Sequence, residues 1–196
     1  RLFEESSKEQ ILELAIEAEK TIFQNTSGAD CTVCTFGGLM EYDKEKGFLQ
    51  IESKPNFHLI IANSNIEHST ETVVSKVKQF KEKNEEKFSN MCQKELELVN
   101  HVRIMLKNND LQELGKAMRD NQEFLETIGI SNEKLREMIK IVENSSFGAK
   151  ITGAGGGGCI IALTDESNLE KIISELKMKN HECFSVKIDY KGLDTF

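Results

Sequence analysis

The sequence predicts an α+β fold in which long helices cover one face of an antiparallel sheet, and three observations predict it. From Ser69 to Ser145 the apolar spacing is helical, with breaks near Asn84, at Asn108-Asn109-Asp110 and at Ile128-Gly129-Ile130-Ser131-Asn132. Short β-branched runs flank that block, Phe57 to Ala62 before it and Ala149 to Thr152, Cys159 to Leu163 and Cys183 to Ile188 after it. Between two of these runs lies Gly153-Ala154-Gly155-Gly156-Gly157-Gly158, with five of the chain's 13 glycines.

The elements follow in order. Ser7 with Gln10 three residues later reads as a capping box, and Ile11, Ala15, Ala18 and Ile22 mark one apolar face of a helix running to about Phe23. Asn25 to Asp30 reads as a turn. Cys31 to Tyr42 and Gly47 to Glu52 read as two strands joined by the charged turn Asp43-Lys44-Glu45-Lys46, a hairpin. Pro55, the only proline, stands before the third strand and marks the expected domain boundary. Inside the helical block, Lys76 through Lys87 carries eight charged residues in twelve, the pattern of a solvated face. Ser131-Asn132-Glu133-Lys134 opens the last helix of the block, and a further helix from Ser167 to Lys179 joins the last two strands.

Composition narrows the function classes. With 196 residues, 38% hydrophobic and 30% charged, the chain can bury a core in one or two domains. Its longest apolar runs, Leu59 to Ala62 and Cys159 to Leu163, are far short of a membrane span, and no signal-peptide pattern marks Arg1-Leu2-Phe3-Glu4-Glu5, so no membrane partner is expected. A net charge of -8 argues against nucleic acid and leaves the charge of a small substrate open. Five irregularly spaced cysteines fit a reducing compartment, with the cytoplasm as the default. Cys31 and Cys34 form a C-x-x-C, but on a strand positions i and i+3 face opposite ways, so both read as small buried apolar residues rather than a metal or redox pair. His58, His68, His101 and His181 show no zinc spacing.

Two places carry chemistry. A glycine run gives up side-chain burial and costs entropy, which suits a backbone that approaches a ligand or turns with φ > 0, and successive N–H groups there can cradle an anion. Gly153, Gly155 and Gly158 satisfy G-x-G-x-x-G, but a strand rather than a helix follows, which opposes a dinucleotide fingerprint, and no Lys-Ser or Lys-Thr pair completes a Walker loop. A ligand-free hairpin turn stays open. The second place is the pair Glu19 and Asp30. Leu12, Ile16, Glu19 and Phe23 share a helical stripe, so Glu19 puts a carboxylate where an apolar side chain is expected and needs a partner. An ordinary salt bridge at the edge of the core is open for Glu19, and a turn-stabilising Asx hydrogen bond for Asp30.

Glu19 eleven residues before Asp30, the stretch Asn25-Thr26-Ser27-Gly28-Ala29-Asp30, Thr35-Phe36-Gly37-Gly38 after it and Lys150 to Cys159 near the end together resemble the GHMP small-molecule kinases. Within that superfamily they resemble the mevalonate-phosphorylating branch. The resemblance runs through nearly the whole chain in order. It implies transfer of the γ-phosphoryl of ATP to the hydroxyl of mevalonate, with Asp30 as catalytic base or orienting group, Glu19 as a Mg²⁺ ligand, and Ser27 and Thr70 near substrate. Thr152, Gly153, Ala154, Gly155, Gly156, Gly157 and Gly158 would lie beside the ATP phosphate loop. Phosphoryl transfer calls for such a division of labour, one carboxylate for the metal and one for the nucleophile.

The family's Gly-Leu-Gly-Ser-Ser-Ala phosphate loop, the serine in it that binds Mg²⁺ and its N-terminal lysine have no counterpart, so the resemblance implies a C-terminal portion of a kinase. Residues 1–55 would then be the end of the N-terminal catalytic lobe and 56–196 the C-terminal domain, with the missing half as partner and a homodimer open. Phe23, Gln24 and Thr26 replace the His, Gly and Pro common before Ser-Gly-x-Asp, and His68 stands where an arginine often helps hold the substrate carboxylate. A sibling kinase such as one acting on phosphomevalonate, and a non-catalytic binding lobe, are the alternatives.

Overall fold

The computed structural model describes residues 7–24, 26–43, 45–67 and 69–194. The chain divides into two compact units, one made of the residues up to Lys54 with those from Ile188 onward, the other running from Pro55 to Lys187.

In the first unit, α1 (Lys8–Lys20) starts at the capping box: the Ser7 hydroxyl accepts the Gln10 N–H at 3.3 Å, and the Gln10 side chain accepts the Ser7 N–H at 2.9 Å. Its half-buried face is Ile11, Leu12, Ala15, Ile16 and Glu19. Ala18, expected on the apolar face, is exposed within the helix, and Ile22 and Phe23 are exposed because the helix ends at Lys20 and the chain turns away.

The largest departure follows. Residues 31–36, expected in a strand, belong to the helix α2 (Ala29–Phe36). Gly28 at φ +73° redirects the chain with a conformation that a side chain would strain, and the Thr32 and Thr35 hydroxyls fold back onto the carbonyls of Gly28 and Cys31, both at 2.7 Å. Local β propensity in Cys-Thr-Val-Cys-Thr-Phe thus yields to tertiary context. The hairpin exists in shorter form: β1 (Met40–Asp43) pairs antiparallel with β2 (Gly47–Gln50), Met40 opposite Gln50. The last described residues close this unit, with the Gly38 N–H on the Asp189 carbonyl at 2.7 Å and the Leu193 N–H on that of Thr35 at 3.0 Å. A Cβ on Gly37 would lie 2.4 Å from the Gly192 nitrogen, so the two backbones meet where no side chain fits.

The second unit holds β3 (His58–Asn63), α3 (Thr70–Lys83), α4 (Glu85–Asn108), α5 (Leu111–Ile128), α6 (Glu133–Val142), β4 (Gly148–Ile151), β5 (Cys159–Thr164), α7 (Leu169–Met178) and β6 (Glu182–Val186). Its sheet has the order β4-β5-β3-β6 and is antiparallel throughout, with Gly148 opposite Leu163, His58 opposite Thr164 and Leu59 opposite Val186. The helix breaks fall where turn chemistry put them: Asn109 at φ +53° and Gly129 at φ +85° end α4 and α5, and Asp110 and Asn132 cap α5 and α6. Ile60, Ala62, Ala149, Ile151, Ile160 and Ala162 form one sheet face, packed against Leu135, Met138 and Val142 of α6 and Ile172 and Leu176 of α7. Each large side chain buried there contributes about 1.5–3 kcal/mol. Among the described residues no helix is long and apolar enough to cross a membrane.

At Gly115 and Gly148, α5 and β4 touch backbone to backbone. A Cβ on Gly115 would fall 2.1 Å from the Phe147 carbonyl oxygen, and one on Gly148 2.1 Å from that of Gly115. Gly115→Ala is therefore expected to destabilise this unit by about 1–3 kcal/mol, the usual cost of overpacking, read as a lower urea midpoint with unchanged slope.

His181, in the turn between α7 and β6, is buried with its Nε2 unpartnered among the described residues. Burial, reinforced by Lys134 and opposed by Glu137, holds its pKa below the ordinary 6.5. Between that lowered value and 6.5 the unfolded chain binds the proton more readily, so this contribution to stability is present above about 6.5 and lost as the pH falls through the folded-state value. Urea midpoints of the native chain and His181→Gln should converge on acidification below pH 6.5; parallel curves would count against it.

Candidate functional site

The first unit brings Glu19 and Asp30 together around the start of α2. After α1 the Ile22 and Phe23 N–H groups close onto the Glu19 carbonyl at 3.0 and 2.8 Å, which brings the following turn back over the Glu19 side chain. Thr26 then works in both directions: its hydroxyl donates to Glu19 Oε2 at 2.7 Å and accepts the Gly28 N–H at 3.1 Å. The Cys31 thiol also donates to Glu19 Oε2, at 3.5 Å. Glu19 is half-buried, as its place on the stripe predicts, but it is held by neutral donors, and no described cation pairs with it, so the salt-bridge alternative is not realised among the described residues.

Asp30 lies in the first turn of α2, where the helix end favours a negative charge. It is exposed, and its carboxylate makes no hydrogen bond among the described residues, so the Asx-turn alternative is not realised there. Ser27 is exposed beside it, its hydroxyl accepting the Ala29 N–H at 3.3 Å. Desolvation pushes the Cys31 thiol pKa up, and the carboxylates of Glu19, which accepts its proton, and Asp30 push the same way. Cys31 is half-buried and Cys34 exposed, so the expectation of two buried apolar cysteines fails for Cys34; a helix, unlike a strand, puts the two on one face. Thr26 and Cys31 were missed as functional neighbours of Glu19, since only the turn geometry brings them there.

The second unit carries Thr152 to Gly158 as the connection between β4 and β5. Gly153, Gly155, Gly156 and Gly158 all have φ between +71° and +82°, which accounts for the glycines by conformation. The loop is tied down at both ends and in the middle. Thr152 N–H meets the Cys159 carbonyl at 3.0 Å, Gly156 N–H meets that of Ile130 at 2.6 Å, and Gly158 N–H meets that of Ile66 at 3.2 Å. Asn132 Nδ2 donates to the Gly156 carbonyl at 2.9 Å, and a Cβ on Gly155 would stand 2.7 Å from the Ile130 oxygen. The N–H groups of Gly153, Ala154, Gly155 and Gly157 remain unpartnered among the described residues. Ser64 N–H reaches the Gly158 carbonyl at 2.9 Å, so the segment leading to Thr70 at the head of α3 is tied to the same loop. Thr70 is exposed; His68 lies outside the described residues. A cleft of about 470 Å³ beside the loop is lined by Ile66, Asn132, Lys134, Glu137 and Gly156 among others.

Beneath the loop, Gln122 of α5 is buried, accepts the Ile151 N–H at 3.0 Å and donates to Ser131 Oγ at 3.1 Å and Glu126 Oε1 at 2.8 Å. Lys150 donates to the Ile151 carbonyl at 2.9 Å; burial holds its pKa below the ordinary range, against the pull of the Glu95 carboxylate.

Residues 103–181, from within α4 to the turn before β6 and including the whole glycine loop, match the family described as GHMP kinases C terminal. This chain carries the GHMP kinase C-terminal domain. It is 30% identical over 189 residues to the mevalonate kinase of Methanocaldococcus jannaschii, covering 94% of this chain and 58% of that one. It is 26% identical over 197 residues to the mevalonate kinase of Arabidopsis thaliana, covering 96% of this chain and 52% of that one. A crystal structure of L. major mevalonate kinase in complex with R-mevalonate superposes with a TM-score of 0.87 at 27% identity, over 94% of this chain and 60% of that one. The chain thus spans about half the length of the curated relatives it matches. The mixed architecture of antiparallel sheets and covering helices is that of the GHMP kinase fold.

Replacing Gln122 by Leu strands the Ile151 N–H and the Ser131 hydroxyl in the interior, at a cost of about 1–3 kcal/mol for an unmade buried hydrogen bond. Amide exchange in the native chain should accelerate at Ile151 and Gly156 more than at Ile60 in the sheet centre; uniform acceleration would mean that Gln122 does not brace the loop.

Proposed function

We propose that this chain supplies part of the catalytic machinery of a kinase that transfers the γ-phosphoryl group of ATP to the hydroxyl of mevalonate. The observation that carries the reading is the placement of Glu19 and Asp30 about Cys31, with neither carboxylate neutralised by a described cation. Phosphoryl transfer is governed by positioning and by neutralisation of phosphate charge. Asp30, exposed and without a hydrogen-bond partner among the described residues, is available to accept or orient the proton of the attacking hydroxyl.

Glu19 fits Mg²⁺. Thr26 and Cys31 engage only Oε2, Oε1 makes no described contact, and Mg²⁺ commonly takes one or two carboxylates and completes its shell with phosphate oxygens and water. When bound, the ion would offset the charge of the phosphates. Thr26 fixes the Glu19 carboxylate, Ser27 and Thr70 are assigned to the acceptor, and Thr152 to Gly158 to the neighbourhood of the nucleotide phosphates, which the unpartnered N–H groups of the loop suit. Residues 1–55 are assigned to the end of the N-terminal catalytic lobe, 56–196 to the C-terminal domain, and the enzyme to the cytoplasm. The similarity to mevalonate kinases at 26–30% identity supports the choice of acceptor.

The test is steady-state kinetics on a kinase of the relatives' full length carrying this chain. Asp30→Asn keeps shape and removes charge, so kcat should fall by about 10²- to 10⁴-fold while KM for ATP and acceptor stays within a few fold. Glu19→Gln should instead raise the Mg²⁺ concentration needed for activity. An Asp30→Asn enzyme that keeps its kcat, or loses it only by unfolding, removes the assignment. The same series with mevalonate and with phosphomevalonate identifies the acceptor.

A further inference from the structure

Cys31 and Cys34 have no task in that reaction, and their setting reverses the expectation drawn from a strand. Three residues apart on α2 they share a face, with Cβ atoms roughly 5–6 Å apart. Cys34 is exposed, whereas Cys31 is half-buried with its thiol on Glu19 Oε2 at 3.5 Å. A disulfide needs Cβ atoms about 3.5–4.5 Å apart, so α2 would tighten locally by roughly 1–2 Å, in the direction of a 3₁₀ turn. The helix is held at both ends, by Ile16 against Gly28 and by Leu193 on the Thr35 carbonyl, so the tightening would fall between them. It is eight residues long and bounded by Gly28 at φ +73° and Gly37 at φ +69°.

We propose that Cys31 and Cys34 are a redox modification site, closing to a reversible disulfide by exchange with a small-molecule disulfide such as glutathione disulfide and withdrawing the thiol donor from Glu19. The exposed Cys34 loses its proton and attacks one sulfur of the small disulfide; that S–S bond breaks, and one small thiol leaves and takes up a proton. Cys31 then loses its proton and attacks the Cys34 sulfur, breaking the mixed disulfide and releasing the second small thiol. The cysteine pair is oxidised by two electrons and the small disulfide reduced by two. A bond made under strain is the more easily reduced, so the site reopens in a reducing medium. Closure leaves Glu19 with Thr26 as its one described donor. The consequence of that for Mg²⁺ rests on the role proposed for Glu19, but the disulfide itself does not.

Cys92, exposed on α4, is an internal control, since no other cysteine lies within a turn of it on that helix. The native chain is treated with glutathione disulfide, quenched in acid, digested and read by mass spectrometry. In most molecules the peptide holding Cys31 and Cys34 should have lost two hydrogens and carry no glutathione, while Cys92 keeps its adduct. In Cys31→Ser the adduct should stay on Cys34. Three results would overturn the proposal: an adduct retained on Cys34 in the native chain, both thiols intact while Cys92 reacts, or a disulfide that forms equally well in urea, where the helix plays no part. If the disulfide forms but the Mg²⁺ dependence of the full-length kinase does not move, the redox site stands and the Cys31 thiol has no part in how Glu19 meets the metal.

Discussion

The arrangement of the second unit depends on one close approach, that of α5 to β4 at Gly115 and Gly148, where each glycine fills the space a side chain would need on the other. A helix pressed this close to a strand can reach it with a side chain of modest length. Gln122, two turns further along α5, does so, taking the Ile151 N–H on one side and the Ser131 hydroxyl on the other. Ser131 belongs to the short turn whose Ile130 carbonyl and Asn132 side chain grip Gly156. The glycine loop is therefore held by a relay that begins at a backbone contact about a helix length away, and its own conformation is set by a scaffold with no chemistry in it. A loop with so little side-chain packing would otherwise be expensive to order.

The two units present opposite electrostatic demands. The start of α2 gathers Glu19 and Asp30 and offers them no described cation, so it favours any ligand that brings positive charge or a proton donor. The glycine loop keeps four N–H groups without a described acceptor, and therefore favours anions.

Much of this was legible in the sequence, for reasons that differ by element. The helices of the second unit ended where Asn84, Asn109 and Gly129 stand because a positive φ or an end cap is a local property of those residues. Its strands showed through their β-branched runs, and Glu19 through its break in the α1 stripe. What failed was α2, where β-branched residues read as a strand and the outcome was set instead by the turn at Gly28, whose absent side chain leaves room for Ile16 of α1. The partners of Glu19 and the grip of Ile130 and Asn132 on Gly156 were invisible, since both arise from pairing across turns that no pattern along the chain encodes.

The return of the chain to its first unit also orders events in time. Leu193 completes the end of α2 by binding the Thr35 carbonyl, and Gly192 fills the notch at Gly37. Everything from Pro55 to Lys187 is thus an insertion into a unit whose two parts are distant in sequence. During synthesis the inserted unit can acquire its core while the earlier one still waits for its closing segment, and its compactness shortens the loop that this closure has to span. The ribosome therefore delivers the helix that bears Asp30 well before the contacts that finish it, and completion of the carboxylate site waits on the closing segment.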